Sequence, residues 1–241
     1  MEEMQELQRL IDAHHRIVFF GGAGVSTESH IPDFRSVDGL YHAKYAYPPE
    51  TILSRSFFLT HTEEFYRFYR DKMLYLDAKP NPAHQKLAQL ERAGKLAAVV
   101  TQNIDGLHQA AGSRAVFELH GSVHRNFCMD CGAFYDARFI RDSQGVPRCA
   151  ACGGAVKPDV VLYEEPLDDK VVEGAIRRIE EADLLIIGGT SLAVYPAAGL
   201  LQYFRGDCVV QINRDPTPYD HRAALCLHES IGQVLSRIRV G

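Results

Sequence analysis

The chain has 241 residues, 46% hydrophobic and 24% charged, which fits an ordinary globular protein and excludes disordered, collagen-like and low-complexity chains. At about 100–200 residues per domain, this length allows one large domain, alone or with a small module. The net charge of −5 argues against a surface that binds nucleic acid throughout, because phosphate binding needs a clustered basic excess.

The predicted elements alternate between strands and helices. Continuous apolar runs, typical of strands covered on both faces, occur at residues 16–20, 96–101, 115–119, 183–187 and 208–212. Helical patterns occur at residues 2–14, from Thr62, at 82–93 behind an Asn81 cap, and at 168–181, 195–204 and 230–239. Residues 30–60 predict irregular structure. This order predicts an α/β fold with a doubly wound, Rossmann-like parallel sheet.

Nothing in the sequence predicts secretion or membrane insertion. The first five residues are acidic and do not resemble a signal peptide. Residues 184–201 run without a charge for 18 residues, the length of a membrane span. Glycines in the middle of this run and Pro196 favour a buried strand, a loop and a helix instead. We therefore expect a cytoplasmic protein.

Two Cys-x-x-Cys pairs, separated by 17 residues, predict a zinc site with the ligands Cys128, Cys131, Cys149 and Cys152. Four thiolates leave no open position for water, so the zinc is expected to be structural. Redox pairs are the alternative on spacing alone. A DNA-binding ribbon is disfavoured because aspartates balance most of the nearby arginines. Cys208 and Cys226 stand alone in apolar surroundings and are expected to fill the core.

The composition changes around these pairs, which predicts a division into two parts. We expect residues 1–120 and 159–241 to form the main domain, with a helical and loop insert at about 30–80. Residues 121–158 have few apolar runs and are expected to form a small zinc-ribbon module that the metal stabilises.

A glycine-rich turn, Gly22-x-Gly24, follows the first predicted strand. Glycines there would let the backbone approach a pyrophosphate, with a helix N-terminus behind it. The third glycine of the dinucleotide fingerprint is missing, and Thr27 stands in its place. On this pattern alone, an ordinary strand-to-helix turn remains an alternative.

Several motifs together resemble the signatures of the sirtuins, the NAD-dependent protein deacylases. They occur in family order from about residue 16 to 235, which is almost the whole chain. They are GAGVSTESHIPDFR at 22–35, TQNIDGLH at 101–108, ELHG at 118–121, the two cysteine pairs, GTSL at 189–192, VYPA at 194–197 and IN at 212–213.

The resemblance implies an enzyme that breaks the nicotinamide–ribose bond of NAD and moves no hydride. The expected products are nicotinamide, the freed lysine and an O-acyl-ADP-ribose. By resemblance His120 is the general base that deprotonates a ribose hydroxyl, a role that suits a group with an ordinary pKa near 6.5. Asn103 and Asp105 are the other catalytic residues that it implies. The zinc is implied as a second cofactor beside NAD.

The resemblance also assigns residues to the bound molecules. Ile104 and Asp105 are implied to line the nicotinamide pocket, and Val160, Val161, Leu162 and Tyr163 to pair with the backbone of an acylated-lysine protein or peptide. The remaining implied NAD contacts are Gly22, Ala23, Thr27, Phe34, Arg35, Gln102, Asn103, His120, Gly189, Thr190, Ser191, Asn213 and Ile231. We further expect a monomer that binds no membrane and does not contact nucleic acid directly.

Three other activities are weighed against deacylation. An NAD-dependent protein ADP-ribosyltransferase would share the bond-breaking step and is the main alternative. A nicotinamide dehydrogenase is disfavoured by the divergent glycine turn. A non-enzymatic zinc-ribbon binder is disfavoured by the acidic charge and by the complete set of implied catalytic positions.

The chain departs from the family pattern at His30 and Glu164, where glycine is usual. If either backbone needs a positive φ, the side chain costs stability there. Family members that prefer acidic acyl groups carry Tyr and, three residues on, Arg. Here Tyr66 is followed at that distance by Tyr69. Since one residue turns a helix by about 100°, neighbouring arginines point elsewhere, and we expect uncharged acyl groups such as acetyl to be preferred.

Overall fold

A computed structural model describes residues 2–33 and 45–241. The strands in chain order are β1 (Ile17–Gly21), β2 (Leu96–Thr101), β3 (Val116–Glu118), β4 (Gly121–Cys128), β5 (Phe134–Tyr135), β6 (Val156–Val160), β7 (Leu184–Gly188), β8 (Cys208–Ile212) and β9 (Leu225–Leu227). The helices are α1 (Glu2–Ala13), α2 (Pro49–Ile52), α3 (Arg55–Thr60), α4 (Thr62–Lys72), α5 (Pro82–Arg92), α6 (Leu107–Ala111), α7 (Ala137–Asp142), α8 (Asp169–Glu181) and α9 (Ile231–Ser236).

The described strands form a six-stranded parallel sheet and a three-stranded antiparallel sheet. The parallel sheet has the order β3-β2-β1-β7-β8-β9, so the chain runs outwards from β1 in one direction and from β7 in the other. This order is that of a doubly wound α/β fold, as predicted. The strand order reverses between β1 and β7, and the carboxyl ends of these two central strands meet there.

Helices cover both faces of the parallel sheet, which explains why its strands are apolar without alternation. In β1, Phe19 packs with α1, α5 and α9, while Phe20 packs with α8 and the 3₁₀ helix Ala197–Tyr203 on the opposite face. All five residues of β1 are buried. The sheet is therefore a buried central layer, and loops project from its carboxyl edge.

The antiparallel sheet has the order β5-β4-β6 and carries the four paired cysteines at its far end. Its core is shared with the helices that precede it in sequence, because Phe58 and Phe65 of α3 and α4 pack with Ile140 and Val156. Arg70 of α4 adds polar contacts to this interface. The small sheet and helices α2–α4 thus share one hydrophobic core beside the parallel sheet.

Some elements differ from the sequence prediction. Residues 23–29 form two short 3₁₀ turns where a helix was expected, and residues 30–60 contain the short helices α2 and α3. The prediction also missed β9, a three-residue edge strand, and the strands of the small sheet. Residues 184–201 form β7, a loop and 3₁₀ structure, as expected. Among the described residues, no helix has the length and apolar character required to cross a bilayer.

Candidate active site and zinc site

A cleft of about 620 Å³ opens at the carboxyl edge of the parallel sheet. It lies at the point where the strand order reverses, which is where open α/β sheets bind ligands. The loops after β1, β2, β7 and β8 form one wall. The opposite wall contains His120, Val123 and the segment that follows β6. The cleft therefore lies between the two sheets.

The turns after β1 and β7 pack directly against each other. Gly22 N–H donates to the Gly188 carbonyl at 3.3 Å, and Gly24 N–H donates to the Gly189 carbonyl at 2.8 Å. A Cβ atom on Gly24 would lie only 2.8 Å from Gly189 Cα. The glycines thus permit contact between two backbones, and their N–H groups are already used. The helix expected behind this turn is instead the short 3₁₀ helix Ala23–Val25, and the Ala23 amide has no partner among the described residues.

The loop after β2 holds a partly buried carboxylate, Asp105, at the base of the cleft. Asn103 Nδ2 donates to Ser26 Oγ at 3.0 Å, and Ser26 Oγ donates to Asp105 Oδ2 at 2.6 Å. Leu107 N–H donates to Asp105 Oδ1 at 2.9 Å at the start of α6. Burial raises the pKa of Asp105, and the bonds from Ser26 and Leu107 oppose that shift. Both oxygens are oriented, and each keeps a further lone pair for a ligand.

His120 lies between β3 and β4 and lines the cleft. Its Nδ1 atom is 2.9 Å from the Gln102 carbonyl oxygen. Since a carbonyl can only accept, Nδ1 carries the proton, and Nε2 is the acceptor in the neutral ring. Burial lowers the pKa of His120, and the bond to Gln102 opposes that shift. The ring is therefore neutral near pH 7 and can accept a proton at Nε2.

A second polar network lies beneath the loops after β7 and β8. Gln102 Nε2 donates to Thr190 Oγ1 at 3.1 Å, and Thr190 N–H donates to Asn213 Oδ1 at 2.8 Å. Asn213 Nδ2 is buried in the cleft wall and has no partner among the described residues. A buried donor without a partner costs about 1–3 kcal/mol, so a ligand oxygen placed there would be favoured. This observation fits a polar ligand such as the ribose of a dinucleotide.

The segment Val160–Tyr163 lines the opposite wall, and part of its backbone is already paired. Tyr163 N–H donates to the Leu53 carbonyl at 3.0 Å, and Arg55 N–H donates to the Tyr163 carbonyl at 2.9 Å. Val161 N–H is also bonded within the chain, whereas the Val161 carbonyl has no partner among the described residues. The backbone of this segment is thus only partly available to an added strand.

Both departures from the family pattern take the left-handed backbone that favours glycine. The φ angle is 62° at His30 and 74° at Glu164. Such a conformation costs a non-glycine residue about 1–2 kcal/mol. At Glu164 the carboxylate accepts hydrogen bonds from the backbone N–H and the hydroxyl of Ser56, each at 2.9 Å. These contacts offset the cost at the rim of the cleft.

The four paired cysteines converge on one point, with their sulfur atoms within 4.8 Å of one another. The Cys128–Cys152 and Cys131–Cys149 sulfur separations are 3.4 and 3.6 Å. These values are far too long for a disulfide and close to the edge of a tetrahedron with Zn–S bonds of about 2.3 Å. Gly132 and Gly153, which follow the pairs, have φ angles of 72° and 77°, as tight turns around a metal require. The cluster fits a structural zinc ion.

Helix α4 places its arginines away from the cleft. Arg67 pairs with Glu64 at the surface, at 2.9 Å. Arg70 Nε donates to the Ile140 carbonyl at 2.9 Å and so joins α4 to the small sheet. The hydroxyl of the buried Tyr66 donates to the Val156 carbonyl. Of the charged groups in α4, Lys72 lines the cleft, and its ammonium group lies 3.3 Å from Asp71.

The structure brings the predicted site residues together, apart from Phe34 and Arg35, which lie outside the described residues. Sequence reasoning missed Ser26, whose hydroxyl links Asn103 to Asp105, although it falls inside the first motif. The predicted residues that line the cleft are Gly22, Ala23, Thr27, Gln102, Asn103, Ile104, Asp105, His120, Val160, Val161, Leu162, Tyr163, Gly189, Thr190, Ser191, Asn213 and Ile231.

Comparisons with known proteins agree with this geometry. Residues 22–196 match the model of the Sir2 family. The NAD-dependent protein deacetylase of Clostridium perfringens (strain 13 / Type A) is 59% identical over 98% of this chain and 98% of its own length. A Sir2 structure with deacetylated p53 peptide and 3'-O-acetyl ADP ribose has a TM-score of 0.90 and 39% identity over 98% of this chain and 96% of that chain.

A second solved structure, a Sir2 complex with p53 peptide and NAD+, has a TM-score of 0.86 and 38% identity over 97% of this chain and 96% of that chain. These matches extend over both sheets and over the cleft between them. The family model, the curated relative and the solved structures all point the same way, and the chain belongs to the Sir2 family.

Proposed function

We propose that this protein removes acetyl groups from lysine side chains of proteins in an NAD-dependent reaction that gives nicotinamide and O-acetyl-ADP-ribose. The observation that carries the proposal is His120, a partly buried neutral imidazole whose Nδ1 is held by the Gln102 carbonyl. Its free Nε2 lies in the same cleft as the oriented carboxylate of Asp105. The curated relative described above is named for this reaction.

NAD supplies a nicotinamide–ribose bond that can be broken and a ribose that can take up the acetyl group. In this proposal Asp105 and Ile104 hold the nicotinamide end, where the oriented carboxylate can accept a bond from a carboxamide. Asn213 Nδ2, the buried donor without a partner, holds an oxygen of the adenosine half. Gly22 and Ala23 lie against the phosphates, with the Ala23 amide as the available donor.

The proton transfer is assigned to His120. Nε2 takes a proton from a ribose hydroxyl, while Nδ1–H keeps its bond to the Gln102 carbonyl and stabilises the imidazolium that forms. The lowered pKa keeps the ring in its neutral form at pH 7, ready to act as a base. Asn103 is held by Ser26 and acts beside it in orienting the ribose.

The substrate is proposed to be an extended acyl-lysine peptide lying against Val160–Tyr163. Such pairing uses backbone groups, of which the Val161 carbonyl is available, and therefore tolerates many peptide sequences. Uncharged acyl groups are favoured because the arginines of α4 are engaged elsewhere.

We also propose the division of the chain that the sequence predicts, with residues 1–120 and 159–241 as the NAD-binding domain and 121–158 as the zinc module. The antiparallel sheet and the cysteine cluster support it. A cytoplasmic monomer without direct contact to nucleic acid is part of the same proposal, and light scattering of the purified protein would test the oligomeric state.

The test is mass analysis of an acetyl-lysine peptide incubated with the protein, with and without NAD. We expect loss of the acetyl group only when NAD is present, and loss of the activity in His120→Ala. A gain of ADP-ribose on the peptide with the acetyl group retained would favour the ADP-ribosyltransferase alternative and contradict the proposal.

A further inference from the structure

Strand β4 contains a bulge between Ser122 and Asn126. Ser122 pairs with Asp159 and Asn126 pairs with Pro158, so the three residues between them on β4 have no opposite residue on β6. The Asn126 side chain is fully buried, and its Nδ2 donates to the Val123 carbonyl at 3.2 Å. An amide that bonds into the bulge from the core holds it in one conformation.

The bulge contacts the loop after β2 at two consecutive peptides. Val123 N–H donates to the Ile104 carbonyl at 3.0 Å. The imidazole of His124 lies with Nε2 3.0 Å from the Asp105 carbonyl oxygen, to which it must donate. Gly106 makes this approach possible, because a Cβ atom there would lie 2.7 Å from His124 Cδ2.

Hydrogen bonds therefore hold both the side-chain carboxylate and the main-chain carbonyl of Asp105. Ser26 and Leu107 orient its carboxylate, and His124 orients its carbonyl. The next residue, Gly106, has a φ angle of 72° and the conformational freedom of glycine. Without the His124 contact, the Asp105–Gly106 peptide loses the bond that limits its rotation.

Arg125, the last residue of the bulge, forms ion pairs with a strand of each sheet. Its Nε donates to Asp159 of β6 at 2.7 Å, and its Nη1 donates to Glu118 at the end of β3 at 2.7 Å. Glu118 comes two residues before His120, and its side chain is only 9% exposed. The bulge is thereby fixed to the parallel sheet as well as to the zinc-bearing sheet.

We infer that His124 is a positioning residue that holds the Asp105 peptide in place for the nicotinamide group. Val123 contributes a second contact, and the bulge as a whole joins the zinc-bearing sheet to this loop. The inference rests on the proposed function, in which the loop contacts nicotinamide. It assigns a role in the reaction to an exposed side chain that is not among the residues lining the described cleft.

The test compares His124→Ala, which removes the donor, with His124→Gln, whose amide nitrogen can reach the position of Nε2. His15→Ala is the matched control, because His15 is an exposed histidine before β1 at the opposite edge of the sheet. The measurements are inhibition by nicotinamide, exchange of labelled nicotinamide into NAD, KM for the acetyl peptide, and thermal stability.

Loss of one net hydrogen bond predicts that His124→Ala weakens nicotinamide inhibition about three- to tenfold and slows exchange by a similar factor. We expect the KM for peptide and the melting temperature to stay close to those of the unaltered protein. His124→Gln should recover most of the loss, and His15→Ala should behave like the unaltered protein.

Three results would overturn the inference: His124→Ala with unchanged nicotinamide inhibition, a loss of all activities in proportion to a loss of stability, or His124→Gln no better than His124→Ala. An unaltered protein that neither deacetylates the peptide nor exchanges nicotinamide would instead contradict the proposed function, and the inference with it.

Discussion

Two buried histidines make the stability of this protein sensitive to mild acid. His84 and His108 lie with their ring centroids 4.7 Å apart, between α5 and α6. His84 Nδ1 accepts a bond from the Asn81 N–H at the start of α5, and the other three ring nitrogens have no partner among the described residues. Burial lowers the pKa of His84 to about 4 and that of His108 well below its ordinary value. Both rings are neutral in the folded protein at pH 7.

The size of the effect follows from the difference between the folded and unfolded pKa. The unfolded chain, with a histidine pKa near 6.5, binds more protons than the folded chain between that pH and the lower folded pKa. Stability is therefore fully present above about pH 6.5 and falls as the pH decreases towards about 4. The titration of His84 alone should lower the free energy of unfolding by about 1.3 kcal/mol between pH 7.5 and 5.5. By pH 4.5 the decrease should reach about 2.5 kcal/mol. His108 adds a contribution of the same sign.

Urea unfolding of the zinc-loaded protein at pH 7.5 and 5.5 measures this cost. His84→Asn keeps an acceptor for the Asn81 cap but does not titrate, so its stability should fall by about 1.3 kcal/mol less than that of the unaltered protein. Loss of zinc at low pH affects both proteins and cancels in the difference. His15→Asn, at an exposed position, is the control. An equal fall in His84→Asn and in the unaltered protein would refute the claim that burial holds His84 neutral.

Three further results are expected. His120→Ala should lower kcat/KM for an acetyl peptide at least about 100-fold with an unchanged circular dichroism spectrum, since proton transfer by a placed base contributes about 100- to 10,000-fold; near-normal activity would remove its role. In the unaltered protein the acid limb of kcat/KM should lie below pH 6.5, because burial lowers the pKa of His120 and the neutral ring is the active form; a limb above pH 7 would contradict this. Cys149→Ala should release zinc and lower the melting temperature, and a protein equally stable after chelation would show that the cysteine cluster is no structural site.

The acyl preference gives one more test in the same assays. Hydrolysis of acetyl-lysine should exceed that of succinyl-lysine, because Arg67 and Arg70 are engaged with Glu64 and the Ile140 carbonyl. Faster removal of succinyl would show that another cation binds the acidic group, and Lys72 and Arg214 are the candidates that line the described cleft.

The central strands were predictable because a strand that is buried on both faces has a continuous apolar sequence. Residues 96–101 and 208–212 match β2 and β8 in full, and the other predicted strands differ by one residue at each end. Strand β9 has three residues and lies at the edge, too short to show a pattern. The strands of the small sheet were missed because their core is shared with the aromatic residues of α3 and α4, which no local periodicity reveals.

The site residues that belong to a sequence motif were predictable. Those whose role depends on tertiary contacts were not. The cysteine cluster followed from spacing, and the cleft residues followed from the resemblance. The packing role of Gly24 was not predictable from the sequence, because only the structure shows its close contact with the Gly189 backbone. His124 could not be identified from the sequence, since its contact with Asp105 depends on a bulge that no local pattern reveals.

The most direct test of the account is the stoichiometry of a single reaction. Purified protein, NAD and an acetyl-lysine peptide should yield nicotinamide, deacetylated peptide and O-acetyl-ADP-ribose in equal amounts, each limited by the NAD supplied. Free acetate formed without loss of NAD, or NAD recovered intact beside deacetylated peptide, would contradict the claim that this cleft consumes its dinucleotide to release the lysine.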